Sequence, residues 1–456
     1  MFGSKQPRRV GTDDVVPARF WDATPFVTVK LEIHIPKIFN SERPAVRFEH
    51  LVFHTNIRDH PLASRFPQAT EAPSIQEGGD KFRELGTLGS VKYPETLEDY
   101  FTSDEPPFAL QVISFRDATL VSLNFPHAVT DALGLSALLE NWSKVLAGRE
   151  DEVLPLPTDD PMDRIDSQQE EEAQVKHVLQ DKQLKGFGLV VFGLYFLWDL
   201  LFGPKMETRV VCLPARSVAA LQQRAKSDLT EPEKKNPQQQ TTPFISEGDI
   251  ITSLGIKSIA SSLGQSNTRS LAIINVFELR SRLSNIFESS KFAYVQNAFS
   301  IMTCILSAQD ARRLSLGQTA LRVRETLVEQ TADSQIRTLV RDHRAFLTKT
   351  GRPMLFGDKN SMLAPMTSWS KGKFYDVVDF APAVLDVTTE SDDAAEKGRR
   401  RGKPSFFFAT ESSSKKNPTY RNVWNILGKD PQGNYWITGM LSPATWRVVE
   451  EELKRL

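Results

Sequence analysis

Residues 118–148, ATLVSLNFPHAVTDALGLSALLENWSKVLAG, decide the fold. Thr119, Val121, Leu123 and Phe125 alternate with smaller or more polar residues, the period of a half-buried strand. Pro126 has no amide hydrogen to give a ladder and ends that strand. From Leu135 the period changes. Leu135, Leu138, Leu139, Trp142, Val145 and Leu146 follow helical spacing, and Gly148 stands where a helix stops. Thr130 or Asp131 can cap the helix start. His127 therefore lies in a tight strand-to-helix turn, with the turn's polar atoms gathered around it.

The five residues His127-Ala128-Val129-Thr130-Asp131 read HxxxD. The bare pattern is weak, because seven histidines in 456 residues give roughly 0.4 such pairs by chance. A second one, His177 to Asp181, lies in EEEAQVKHVLQDKQLK and reads as i,i+4 neighbours on a solvated helix face. Around His127 the strand before and the helix after strengthen the reading. Gly134 also lets another backbone approach the helix's first turn closely.

Outward from that stretch, 456 residues imply two domains. A net charge of −1 with 25% charged and 40% hydrophobic residues is globular and argues against a nucleic-acid partner. Cys212 and Cys304 have neither zinc spacing nor a disulfide framework, and His50 with His54 lacks a third ligand, so no metal site is expected. The first thirty residues hold no apolar signal core, which predicts a cytoplasmic protein.

Residues 26–35 alternate as a strand, and 108–115 form a strand that pairs with 119–125 across Arg116-Asp117-Ala118. The run 187–202, FGLVVFGLYFLWDLLF, is interrupted by Asp199 and falls short of the ~20 residues needed to cross a bilayer. It is read as a buried or pocket-lining crossover, in preference to a membrane-surface helix or a span. A polar loop covers 226–243. The second half predicts a helix at 246–263 capped by Ser246, a strand at 271–283 ending in two arginines, and a long helical region over 308–347. A charged loop at 388–404 carries Arg399-Arg400-Arg401 as a solvated patch. A closing strand at 435–441 precedes a helix capped by Ser442-Pro443.

Taken in order, HxxxD, Leu279-Arg280-Ser281-Arg282-Leu283, Tyr294-x-x-Asn297-Ala298, Thr367-Ser368-Trp369 and Asp379-Phe380 resemble the BAHD acyltransferase superfamily, most of all its fungal secondary-metabolism branch. The resemblance runs from about residue 20 to 450. It implies an α/β protein of two chloramphenicol-acetyltransferase-like domains, mixed β-sheets flanked by helices, with a channel at their interface open to CoA on one side and to the acceptor on the other. The expected division is 1–185, a crossover at 186–215, and 216–456, with the segment around 366–385 packing on the first domain. Two departures stand out. Ala132 follows the Asp where the family often has Gly, and Asp-Phe-Gly-Trp-Gly is reduced to Asp379-Phe380-Ala381-Pro382-Ala383.

The implied reaction is transfer of an acyl group, acetyl first of all, from acyl-CoA as co-substrate to a hydroxyl of a terpenoid- or alkaloid-type natural product. No permanently bound cofactor, metal, nucleic acid or transmembrane span is implied, and the protein is expected to be a monomer. An imidazole with pKa near 6.5 can take an alcohol's proton as the new bond forms, which suits His127 as general base. The resemblance turns Asp131 away from the channel to pair with Arg280, with Arg282 as second choice. It sets Thr367-Ser368-Trp369 across from the HxxxD turn. Alternation would give Thr367 and Trp369 one face, Thr367 for the acceptor hydroxyl and the Trp369 N–H for the oxyanion. Ser368, Asn297 and Gly134 complete the expected substrate-binding set. Two other classes share these signals: a non-catalytic binding or scaffold protein of the same fold, and a carrier-protein-dependent condensation enzyme. The latter's HHxxxDG is broken here by Pro126 and Ala132.

Overall fold

The computed structural model describes residues 46–88, 93–94, 99–100, 105–165, 175–230, 243–384, 401–409 and 420–456. The strand expected at 26–35, most of the polar loop at 226–243 and the Arg399-Arg400 pair lie outside the described residues.

Two mixed sheets form the frame. In the smaller, β1 (Val46–Val52) pairs in parallel with β3 (Phe108–Ser114), which pairs antiparallel with β4 (Thr119–Asn124). The larger sheet has seven strands: β2 (Ser74–Glu77), β5 (Glu207–Leu213), β10 (Tyr435–Leu441), β9 (Val423–Lys429), β8 (Met362–Ser368), β6 (Ser270–Glu278) and β7 (Phe299–Ser307), in that spatial order. At its centre β9, β8 and β6 run parallel; the remaining neighbours are antiparallel.

After β4 the chain enters α1 (Ala132–Leu146), capped by Asp131, and leaves it at Gly148 with φ +69°. Then come α2 (Gly186–Phe202), α3 (Ala215–Thr230), α4 (Glu247–Ser262), α5 (Ala308–Arg313), α6 (Leu316–Gln330), α7 (Asp333–Thr350), α8 (Phe374–Val377) and α9 (Pro443–Leu453). The helical stretch expected as one region at 308–347 is divided because Ser315 starts a new capping box and Ala332 a new N-terminus. The main core lies between the large sheet and α3, α4, α6 and α9, where Ile251, Ile273, Met302, Trp424, Ile437 and Trp446 are all at most 1% exposed.

The halves do not part cleanly at residue 185. β2 belongs to the first segment of chain yet adds antiparallel to β5 in the larger sheet. In return, residues 370–380 pack on α1: Ser136 Oγ donates to the Gly372 carbonyl at 2.6 Å, the Asp379 N–H donates to Ser143 Oγ at 2.9 Å, and Phe380 lies 4.8 Å from Trp142. The shortened Asp-Phe segment is thus a packing element. Phe408 reaches the first half as well, lying against Phe66 and Phe82.

Two expectations are corrected. His177 is not on a solvated helix: it sits in a turn, 4% exposed, 5.4 Å from the Phe356 ring, while Asp181 stays in solvent. The Val178 N–H donates to Gln335 Oε1 of α7 at 2.8 Å, which draws the turn inward. The apolar run forms α2, but α2 is not buried; of its seventeen residues only Phe192 is. Its single acid, Asp199, is clamped by both guanidinium nitrogens of Arg269, at 2.7 and 2.8 Å.

Candidate active site

Between β4 and α1 the main chain turns at Pro126, whose carbonyl accepts from the Val129 N–H at 2.9 Å. His127 stands on that turn. Asp131 holds the turn to the other half of the molecule. Its Oδ1 accepts from the Leu133 and Gly134 amides at 3.0 and 2.8 Å, satisfying two orphan donors of the helix start. Its Oδ2 accepts from Arg280 Nη1 at 3.0 Å and from the Ala298 amide at 2.8 Å. Both side chains of this ion pair are about nine-tenths buried, at 9% and 11% exposure. Arg280 spends its other nitrogens on the carbonyls of Tyr294 and Gln296, so one guanidinium ties 294–298 to the helix start. Arg282 points elsewhere, to Thr331 Oγ1.

The close approach this requires falls at Gly134. A Cβ there would lie 2.2 Å from the Val295 carbonyl oxygen, so the backbone admitted by this glycine is that of 294–298. Asn297, 2% exposed, donates from Nδ2 to the His127 main-chain carbonyl at 2.9 Å. It lies behind the turn and braces it.

His127 is an exposed residue, yet desolvation lowers its pKa below the ordinary histidine value, against the opposing effects of its own main chain and of the Asp131 charge. The ring meets Phe299 edge-on at 6.5 Å.

Phe299 belongs to the face of the large sheet that looks away from the main core. Alternation puts Ile274 and Val276 of β6, Pro365 and Thr367 of β8 and Asn425 of β9 on that face, all half-buried. Thr367 Oγ1 donates to Asn425 Oδ1 at 2.9 Å, so the hydroxyl keeps only its accepting side for a ligand. At the end of β6, Glu278 is 7% exposed and bonds Lys371 Nζ at 2.6 Å; burial raises its pKa, but the bonds from Lys371 and Ser281 outweigh that and hold it below the usual range. Asn425, Glu278 and Lys371 carried no motif in the sequence; only strand register places them here.

Trp369 follows Ser368 just past the end of β8. The chain leaves the extended conformation at Trp369, with φ −94° and ψ 3°, and its ring joins the cluster of Tyr375, Trp436, Phe406 and Phe407. Among the described residues its indole N–H makes no hydrogen bond. Ser368 is exposed and bonds Ser370 Oγ at 3.1 Å. Both cysteines are buried, with thiol pKa values pushed up by desolvation, which unfits them as nucleophiles. Among the described residues no group of three or more His, Cys, Asp and Glu could hold a metal ion.

The model of the Transferase family matches residues 93–382. O-acetyltransferase PaAT-2 of Phomopsis amygdali is 36% identical over 94% of this chain and 86% of its own length. Transcriptional regulator calD of Penicillium decumbens is 30% identical over 93% of this chain and 83% of its own, so names among the relatives are mixed. In structure, TRI101 of F. graminearum, solved with Coenzyme A and T-2 mycotoxin, aligns over 89% of this chain and 80% of its own with TM-score 0.53 at 15% identity. Vinorine synthase aligns over 90% and 76% with TM-score 0.51 at 14% identity. Those structures share the two-domain α/β fold of mixed sheets flanked by helices. The chain belongs to the Transferase family of BAHD-type acyltransferases and is an acyltransferase.

Proposed function

We propose that the chain transfers an acetyl group from acetyl-CoA to a hydroxyl of a small natural product, with His127 as general base in a channel between the turn and the open face of the large sheet. The observation that carries this reading is the commitment of both Asp131 oxygens to Leu133, Gly134, Arg280 and Ala298. The carboxylate is a positioning group and not a relay, so the imidazole acts on its own. Relatives named acetyltransferases support the acetyl donor, and the Coenzyme A and mycotoxin of the TRI101 structure support the substrate classes.

The acceptor's O–H gives its proton to an imidazole nitrogen of His127 as its oxygen bonds to the thioester carbonyl carbon. The tetrahedral oxyanion is met by a donor, for which the Trp369 indole N–H is the candidate on this chain. Collapse breaks the C–S bond, and His127 returns the proton to the departing thiolate. No acyl-enzyme forms. The depressed His127 pKa keeps the base neutral at pH 7. Incubation with acetyl-CoA and a panel of hydroxylated terpenoids and alkaloids should release free thiol together with an acetylated product. Acetylated product formed only from a carrier-protein thioester, or none at all, would overturn the assignment.

A further inference from the structure

The exposed helix α2 is the largest feature that the reaction does not use. At about 100° per residue, its exposed side chains Phe187, Val190, Leu194, Tyr195, Leu197, Trp198, Leu201 and Phe202 fall in one continuous arc of about 160°. Their individual exposures, from 42% to 79%, leave on the order of 900 Å² of apolar surface in water. That exceeds what a monomer ordinarily shows. The opposite side of the helix is fastened to the protein by Phe192 and by the Asp199–Arg269 pair, with Arg269 also over the Tyr195 ring at 5.2 Å.

We propose that this face seats α2 in the headgroup layer of an anionic lipid bilayer. The arc holds no hydrogen-bonding side chain except at the amphipathic rings of Tyr195 and Trp198, whereas a protein partner would need polar groups to set register. Exposed Lys185 and Lys205 stand just outside its two ends, and the helix's only acid is already neutralised by Arg269. Cations flanking an uncharged apolar arc complement an anionic surface. Seventeen residues at ~1.5 Å each cannot span the hydrocarbon core, so the helix lies along the surface. No helix among the described residues is long and apolar enough to cross a membrane.

The placement is compatible with turnover. α2 is fastened at the starts of β6, β8 and β9, through Arg269, through the Leu184 amide on the Leu355 carbonyl, and through Arg421 on the Pro204 carbonyl. The His127 turn docks at the far end of β6, roughly 25 Å away at ~3.3 Å per residue.

The test is flotation of the purified full chain with vesicles of phosphatidylcholine, alone or mixed with phosphatidylserine. The wild type should float with the mixed vesicles, less with pure phosphatidylcholine, and less at high salt. Leu194→Glu with Leu201→Glu should cut partition on the order of 100-fold without changing the melting temperature or thiol release from acetyl-CoA. Lys185→Glu with Lys205→Glu should cut it roughly tenfold, on the anionic vesicles only. A wild type that stays off vesicles, flotation unaffected by the double leucine change, or a dimer in sedimentation that this change splits would each overturn the proposal.

Discussion

The chain carries HxxxD twice, and the two copies end in opposite environments. His127 is an exposed residue, and the carboxylate four residues on is buried against Arg280. At His177 the ring is buried and Asp181 is in solvent. His177 Nδ1 accepts from the Leu179 amide at 3.2 Å, and its buried Nε2 has no hydrogen-bond partner among the described residues. The five-residue pattern therefore specifies nothing by itself. What distinguishes the first copy is the set of partners for its aspartate, drawn from the turn after β6 and the residue before β7.

The comparison breaks most easily at the rings. His127→Ala should lower turnover by a factor of about 10² to 10⁴ while CoA still binds, measured by thiol release and calorimetric titration. His177→Ala should leave kcat within about twofold, since the altered ring lies away from the proposed chemistry. Equal losses at the two histidines would erase the distinction.

Next come the carboxylates. Asp131→Ala leaves Arg280 buried without its partner and removes a cap, so denaturant unfolding should show a loss of about 3–5 kcal/mol along with activity. Asp181→Ala, at an exposed residue, should fall within about 0.5 kcal/mol of wild type. An Asp131→Ala protein of full stability would show the clamp to be idle.

Protons sharpen the contrast further. Burial depresses the pKa of His177 and of His343 to about 4 each, while the unfolded chain titrates near 6.5. Between those values the unfolded state binds more protons, so stability should be flat above pH ~6.5 and decline toward pH ~4, by up to about 3 kcal/mol per histidine. His177→Leu should flatten part of that slope. The acid limb of kcat/KM, set by His127, should lie below the ordinary histidine value as well, and His177→Leu should not move it. Among the residues proposed to act in the reaction, the smallest effect is expected at Trp369: Trp369→Phe should cost about tenfold in kcat with KM unchanged, and a KM effect alone would remove the indole from the oxyanion's surroundings.

The elements that sequence reading located well are those with local signals. Pro126, the Asp131 cap, the Ser246 and Ser442 caps and Gly148 act within a turn of the chain, and β4, α1, α4, β10 and α9 begin or end beside them. Within α1 the periodicity pointed to the leucines and Trp142, but the buried residues are Gly134, Ser136 and Ser143, because small side chains let 294–298 and 370–380 come close. What depended on distant partners stayed hidden. Gln335 pulls the His177 turn inward from far along the chain, Asn425 accepts a hydrogen bond from the Thr367 hydroxyl across from a neighbouring strand, and the chain breaks from the extended conformation at Trp369. Apolarity at 187–202 says what those side chains are, not what covers them.

Steady-state thiol release from acetyl-CoA with an accepted hydroxyl substrate, run in parallel on wild type, His127→Ala and His177→Ala, tests the central claim most directly. Loss of at least about 100-fold for His127→Ala with near-wild-type turnover for His177→Ala is the predicted result. Near-full activity in His127→Ala would contradict it.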